Sequence, residues 1–382
     1  MRLRDDPQQA ELRHRLRAWL RATLPALSAP PPRGDHWGRR QYDLDWQRRL
    51  FDAGFAGIDW PLEYGGQGRT AAEQLIFLEE TALAGAPGIG VNLVGLMHAG
   101  PTLIATASDH IQRQLVPPIL RGETVWCQGF SEPGAGSDLA ALRTRAERDG
   151  EDYVVTGHKI WSTNAHVADW CEMVVRSDPA STGHDGLVWL AVPMTSPGIT
   201  VRQIETIDGG ADFCEIFLDG VRCSAAYRVG QEGDGWAVAM STLTHERLLA
   251  FTGDLVNATA LADKLADRVS DPAMADELAT LKAEIASSWA LLRRNVSAAA
   301  SGRPPRFEVS TFKLGFSRLA NRLGGLAAPL ATAALGGPDN DWAVDVLRQR
   351  LWFFALEIAG GTSQIQRDII AERELGLPRS RR

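Results

Sequence analysis

The spacing of apolar residues divides the chain into three textures. After Asp6-Pro7, which reads as a helix N-cap followed by proline at the first helical position, Leu12, Leu16, Trp19, Leu20 and Leu24 recur every three or four residues. Residues 29–38 (APPPRGDHWG) break that helix. The same period returns around residues 44–53, 71–83 and 110–120, with the turn WPLEYGGQG and the apolar run 89–96 between them. Residues 1–122 are therefore expected to form a helical domain.

From residue 125 the pattern changes to short runs rich in Val, Ile, Trp and Tyr, such as VWCQGF, DYVVTG, DWCEMVVR, GLVWLAV and DFCEIFL. Gly, Pro and Asp punctuate them so often that residues 123–232 predict a compact antiparallel sheet or barrel. The helical period resumes at Gly235. Within residues 275–300, Leu278, Leu281, Ile285, Trp289, Leu292 and Val296 form one apolar stripe, suited to a helix bundle or a subunit interface. The expected fold is mainly α with a central β-domain, divided at 1–122, 123–232 and 233–382.

Composition narrows the setting. A chain of 382 residues with 45% hydrophobic content can bury a large core in more than one domain. A net charge of −7 argues against nucleic acid as the main partner. The beginning, MRLRDDPQQAELRHRL, lacks the apolar core of a signal peptide, and no run approaches the ~18 apolar residues of a membrane span. Cys127, Cys171, Cys214 and Cys223 form no CxxC pair and have no metal-ligand spacing, so no metal is expected and a reduced, cytoplasmic setting is. Of the 40 basic residues only Lys159, Lys264, Lys282 and Lys313 are lysines, a bias that reads as coding composition rather than chemistry.

The segment Gly134–Leu139 (GAGSDL) opens like the GxGxxG dinucleotide fingerprint. Leu139 stands at the third glycine and no βαβ unit surrounds it, which excludes a Rossmann site. The longer string CQGFSEPGAGSDLAALRT suggests another use. Phe130-Ser131 ends a strand, and small residues in the loop that follows let backbone N–H groups approach an anionic or electron-rich ligand, with Ser131 and Ser137 as hydroxyl donors. WPLEYGG precedes this string; GHKIWSTNAHVADW, GWAVAMSTLTHER and EIAGGTSQIQR follow it.

These motifs, in this order, resemble those of the acyl-CoA dehydrogenase family. The resemblance implies an N-terminal helical domain, a β-barrel-like middle domain and a C-terminal four-helix bundle, with FAD held between the last two. It implies that Gln128, Phe130, Ser131, Gly136 and Ser137 contact FAD, as do Trp161, Ser162 and Thr163, and Thr362 and Gln364 from the last motif. Trp161 would pack against the isoalloxazine and the Thr163 hydroxyl would lie near its N5.

Family enzymes oxidise an acyl-CoA between Cα and Cβ, using a carboxylate to remove the α-proton and backbone donors to polarise the thioester. Many carry that glutamate where this chain has Gly360, which keeps only the backbone N–H. Others carry it in a Leu-x-x-Glu-Arg motif, here Leu243-Thr-His-Glu246-Arg247, so the resemblance assigns Glu246 as the base. Glu357 is a weaker candidate and His245 receives no role. Arg247 matches a CoA contact, Ser137 a residue near the thioester, and Gly361 lies beside the substrate. The implied partners are an acyl-CoA and an electron-transfer flavoprotein. The same motifs resemble bacterial enzymes that degrade sterol side chains and other bulky acyl-CoAs. The alternatives are a catalytically silent structural subunit, or a flavin enzyme acting on carrier-bound acyl groups.

In homotetrameric members, each FAD is completed by a neighbour through Arg-x-x-Phe-Gly followed by glutamine, and through Gln-x-x-Gly-Gly. The first region here reads Arg268-Val-Ser-Asp271-Pro272, and in the second Ala333 replaces the glutamine before Gly336-Gly337. A homo- or hetero-tetramer is expected, and these gaps raise an α2β2 assembly with a related, complementary subunit. The alternative is a homo-oligomer in which Arg293, Arg294 or Arg303 holds the phosphates.

Overall fold

The computed structural model describes residues 5–247, 249, 251–300 and 308–378, without the side chains of residues 245–247 and 300. The helices and strands run α1 (Pro7–Thr23), α2 (His36–Asp52), α3 (Ala71–Leu83), α4 (Gly100–Thr106), α5 (Asp109–Leu120), β1 (Trp126–Gly129), β2 (Arg145–Asp149), β3 (Asp152–Thr163), β4 (Trp170–Arg176) and β5 (Leu187–Pro193). They continue as β6 (Ile199–Ile204), β7 (Phe213–Ser224), β8 (Arg228–Val229), α6 (Gly235–Arg247), α7 (Thr252–Ala266), α8 (Pro272–Ala300), α9 (Glu308–Ala334), α10 (Asn340–Ala355) and α11 (Ser363–Ile369). No helix among the described residues is long and apolar enough to cross a membrane.

The chain forms two compact units. One contains residues 1–22, 70–86 and 247–382; the other contains residues 23–69 and 87–246. In the first, α1 starts with a reciprocal cap: Asp6 Oδ1 accepts from Gln8 and Gln9 N at 3.0 Å, and Gln9 Oε1 accepts from Asp6 N at 3.1 Å. Leu12, Leu16 and Leu20 of α1 are buried. The flank of this stripe is fixed by charge, because Arg13 and Arg17 grip the buried Glu80 of α3, and Arg13 and Arg293 of α8 share Glu79. The stripe on α8 is buried as expected at Leu278, Leu281, Ile285, Leu292 and Val296. Trp289 sits half-exposed, its Nε1 donating to Thr259 of α7 at 3.1 Å.

The second unit is built on a sheet of order β6-β7-β3-β2-β4-β5-β8, with β1 added on β4. Most pairs are antiparallel, but β1–β4 and β2–β4 are parallel. The long excursion through the β2–β3 hairpin lets β4 return in the direction of β1, which a tight turn cannot do. Inner faces of β1 to β5 and β7 converge on one core that includes Tyr153, Met173, Leu190 and Ile216. The cysteines are all buried and free, filling space as small apolar groups. On the other face, Gln128 of β1 stands opposite Glu172 of β4.

Candidate active site

The glycine loop after β1 is held from beneath by one ion pair. Glu132 opens a tight turn in which its N–H and that of Ala135 exchange bonds with each other's carbonyls at 3.0 Å. Its carboxylate accepts from the backbone N–H of Arg143 at 2.7 Å and of Thr144 at 2.8 Å. The third donor is Lys159 of β3, fully buried, whose Nζ reaches Glu132 Oε1 at 2.8 Å, Val174 O at 2.8 Å and Phe130 O at 3.1 Å. All three ammonium protons are thus matched. Burial pushes the Glu132 carboxyl up, but the Lys159 charge and these bonds outweigh it and hold it below its ordinary range. Burial also lowers Lys159, against the pull of Glu132.

With its base pinned, the loop projects outward. Gly134, Gly136 and Ser137 are exposed, and a Cβ at either glycine would meet nothing within 4 Å. Neither glycine has a positive φ. These glycines therefore serve neither an unusual backbone conformation nor an internal fit; what they leave open is close approach from outside.

Beside the loop, β3 is deformed. Its pairing with β7 slips between Lys159 and Ser162, forming a bulge, and the Ile160 N–H turns to Ser131 O at 3.0 Å. Trp161 takes φ +64, a conformation bulky residues rarely adopt, and its indole is 56% exposed with its edge toward Phe213. Ser162 is buried with no hydrogen-bond partner for its hydroxyl, and Thr163 is half-buried. Such strain costs about 1–3 kcal/mol and persists where the surroundings enforce it. An exposed aromatic plane, an orphaned hydroxyl and an uncluttered glycine loop are brought together in one unit. They fit a planar, polar-edged ligand such as a flavin.

Phe130 is buried. The Gln128 side chain is already engaged: its Nε2 donates to Glu172 Oε1 at 2.7 Å and lies 3.0 Å from His98 Nδ1. An amide donating both protons this way leaves its own oxygen as the group available to a ligand. The Thr102 and Thr242 hydroxyls lie 2.9 Å apart, linking α4 to α6 one turn before Glu246. The side chains of Glu246, the expected base, and of Arg247 lie outside the described residues.

The closing motif lies in the other unit. Gly360 and Gly361 have φ of +64 and +88. Thr362 caps α11, its Oγ1 accepting from Ile365 N at 3.2 Å, and Gln364 is exposed on the first turn. Gln366 donates to Gly360 O at 2.9 Å and Lys313 of α9 to Gly361 O at 2.8 Å. The Glu357 carboxylate takes the Ser363 hydroxyl, so it is committed to the turn. Arg268 is also committed, lying 4.3 Å over the Trp342 ring and 3.4 Å from Asp339.

Lys159 and Lys313 did not stand out as site residues from sequence. The available signal was their rarity: in a chain that uses arginine almost everywhere, each remaining lysine marks a position worth inspecting.

Residues 6–123, 127–221 and 233–375 match, in turn, the N-terminal, middle and C-terminal domains of acyl-CoA dehydrogenases. The chain belongs to the acyl-CoA dehydrogenase family, oxidoreductases that act on CH–CH bonds and are typically FAD-dependent. It is 38% identical to acyl-CoA dehydrogenase IpdE1 of Mycobacterium tuberculosis, across 97% of this chain and 98% of that one. It is 35% identical to FadE26 of the same organism, across 100% of both. The fold matches a chain of the ChsE4–ChsE5 complex from M. tuberculosis at TM-score 0.84 and 32% identity, and one of the Tcur3481–Tcur3483 steroid ACAD at TM-score 0.87 and 28% identity, each covering 100% of both chains.

Proposed function

We propose that this chain binds FAD and removes hydrogen from Cα and Cβ of an acyl-CoA, leaving the 2-enoyl-CoA. The observation that carries the reading is the strained, exposed Trp161 beside the Ser131–Ser137 loop and the orphaned Ser162 hydroxyl. Gln128, Phe130, Ser131, Gly136 and Ser137, with Trp161, Ser162 and Thr163, hold the cofactor; Thr362 and Gln364 add contacts. FAD, when bound, takes the hydride that leaves Cβ. Glu246 removes the α-proton, its basicity raised as the acyl chain excludes water. The Gly360 N–H donates to the thioester oxygen and stabilises enolate charge, while Gly361 lines the same group. Arg247 binds the CoA portion and Ser137 lies near the thioester. The working domains are 1–122, 123–232 and 233–382.

The acyl group is bulky. A base on a helix frees the Gly360 position, and one similar structure is described as a steroid ACAD. Electrons pass to an electron-transfer flavoprotein in the cytoplasm. The native assembly is α2β2 with a related subunit: Arg268 is spent on Asp339 and Trp342, Ala333 offers no polar side chain, and the similar ChsE4–ChsE5 structure is a complex of two named chains.

The test is to purify the chain alone and with a co-expressed dehydrogenase-like neighbour. FAD per chain is measured, then titrated anaerobically with straight-chain and steroid acyl-CoAs. Bleaching of the flavin with enoyl-CoA formation is expected in the complex. Glu246→Gln should keep FAD and lower the reduction rate at least ~100-fold. Near-normal reduction in that variant would move the base elsewhere. Bleaching by a carrier-bound acyl group alone would change the substrate class, and bleaching in the complex that Glu246→Gln leaves at the wild-type rate would favour a silent subunit beside an active partner.

A further inference from the structure

Three side chains on one stripe of α9 reach the end of α10 and the turn beyond it. Asn321 Nδ2 donates to Phe353 O at 2.8 Å, Ser317 Oγ to Leu356 O at 2.9 Å, and Lys313 Nζ to Gly361 O at 2.8 Å. They stand four residues apart, one helical turn each. The last carbonyls of a helix have no partner within it. Here the C-terminal end of α10 and the turn after it are held by a neighbouring helix in rungs, and the last rung is a buried lysine.

The buried Gln366 amide holds Gly360 O at 2.9 Å and Gly361 O at 3.4 Å. Both carbonyls of the two-glycine turn are therefore fixed by side chains. Among the described residues, the Gly360 and Gly361 N–H groups make no bond within the protein. Consecutive free N–H groups in a turn form a concavity that attracts an anion.

We propose that Lys313 and Gln366 are positioning residues for the reaction: they clamp the Gly360-Gly361 turn so that its free N–H groups face the thioester oxygen. The inference rests on the proposed acyl-CoA reading. Its magnitude follows from preorganisation. A donor that must reorient during the reaction loses part of its effect, and removing a donor outright costs about 100- to 1,000-fold in rate. Loosening the clamp should fall below that, at roughly 10- to 100-fold.

The test uses the FAD-loaded assembly and 2-enoyl-CoA labelled with carbon-13 at the thioester carbonyl. Infrared difference spectra read carbonyl polarisation, and amide hydrogen exchange reads the turn. In the wild type the bound carbonyl band should shift to lower frequency, and ligand should slow exchange in residues 357–366. Lys313→Met and Gln366→Leu should each lose most of the band shift and slow flavin reduction, while KM changes less than about threefold. Lys313→Gln, a neutral donor, should recover part of the shift. Ser317→Ala, which removes a different rung, should keep it. A full band shift and normal reduction in either Lys313→Met or Gln366→Leu overturns the inference, and Gln366→Leu alone decides it if Lys313→Met fails to fold. Unslowed exchange in the wild type with ligand bound would instead overturn the assignment of Gly360 to the thioester, leaving the clamp without a task.

Discussion

Replacing Lys159 with methionine tests whether the glycine loop after β1 depends on its buried ion pair. The side chain fits by volume, but three bonds vanish: those to Phe130 O, Glu132 Oε1 and Val174 O. Removing one partner of a buried pair costs about 3–5 kcal/mol, because the other charge stays behind uncompensated. Glu132 retains the N–H bonds from Arg143 and Thr144, which places the expected loss near the lower end, about 3 kcal/mol. The pH dependence gives a sharper signature. In the wild type, Glu132 sits below its unfolded value of 4.5, so its stabilisation is present above that pH and is lost as pH falls through the folded pKa. Without Lys159, burial dominates and raises the Glu132 pKa, so the variant loses stability as pH rises. The deficit should therefore be largest near neutrality and shrink as pH falls toward 4.5. Urea unfolding of the FAD-loaded protein across pH 5 to 8, with FAD release followed in parallel, measures it. Adding Glu132→Gln to Lys159→Met should restore part of the loss, since no orphaned charge remains. A deficit below ~1 kcal/mol, or one independent of pH, would refute the reasoning.

Other outcomes follow from committed side chains. Burial pushes the Asp254 carboxyl up to about 6, with the 2.7 Å bond from Trp352 Nε1 only partly opposing it. Its folded value lies above the unfolded 3.8, so stability declines as pH rises through that window and then levels; Asp254→Asn should raise the urea midpoint at pH 8 and lose the gain near pH 4. Gly360→Glu in a Glu246→Gly background should recover only a small part of flavin reduction on straight-chain acyl-CoAs, because φ +64 costs a side chain about 1–2 kcal/mol; recovery to wild-type rates would show that the turn relaxes freely. Arg268→Ala should destabilise by roughly 1 kcal/mol without changing FAD content of the complex, since its guanidinium serves Trp342 and Asp339; loss of FAD would mean that it serves a neighbour's cofactor.

What could be read from sequence was what depends on local pattern. The Asp6 cap, the α3 boundaries and the α8 stripe each follow from residues within a few turns of one another. Helix α4 was hidden because Gly100-Pro101 opens a segment too short to establish a period. The parallel β1–β4 pairing was hidden because strand direction depends on a connection, not on strand composition. At the site, the motifs pointed to the loop and the glycine pair, yet not to the bulge in β3 or to what holds these segments. Trp161 reads as an aromatic in a strand; its left-handed backbone is visible only once β7 fixes the register. Glu132 reads as a loop carboxylate until Lys159 arrives from the next hairpin.

The lysines carry this one step further. Arginine does most of the pairing here: Arg13 and Arg17 reach Glu80 from partly exposed positions where a planar fork has room. Lys159 and Lys313 instead occupy closed sites: Lys159 donates to two backbone carbonyls and the Glu132 carboxylate, and Lys313 donates to Gly361 O. A compact ammonium with three tetrahedral donors suits that geometry; a guanidinium holds its donors in one plane and needs more volume. Lys282 is the contrast, an exposed residue 2.7 Å from Asp263. Lysine-to-arginine exchange should therefore separate the two classes. Lys282→Arg should stay within about 0.5 kcal/mol of wild type, as surface changes do. Lys159→Arg should lose at least ~1–3 kcal/mol from overpacking, although charge is conserved. Lys313→Arg should disturb the Gly360-Gly361 turn enough to slow flavin reduction. If all three exchanges were equally mild in urea titrations and reduction assays, lysine at the buried positions would be incidental. Loss confined to Lys159 and Lys313 would tie the retention of lysine at these positions to the two backbone segments on which the proposed chemistry depends.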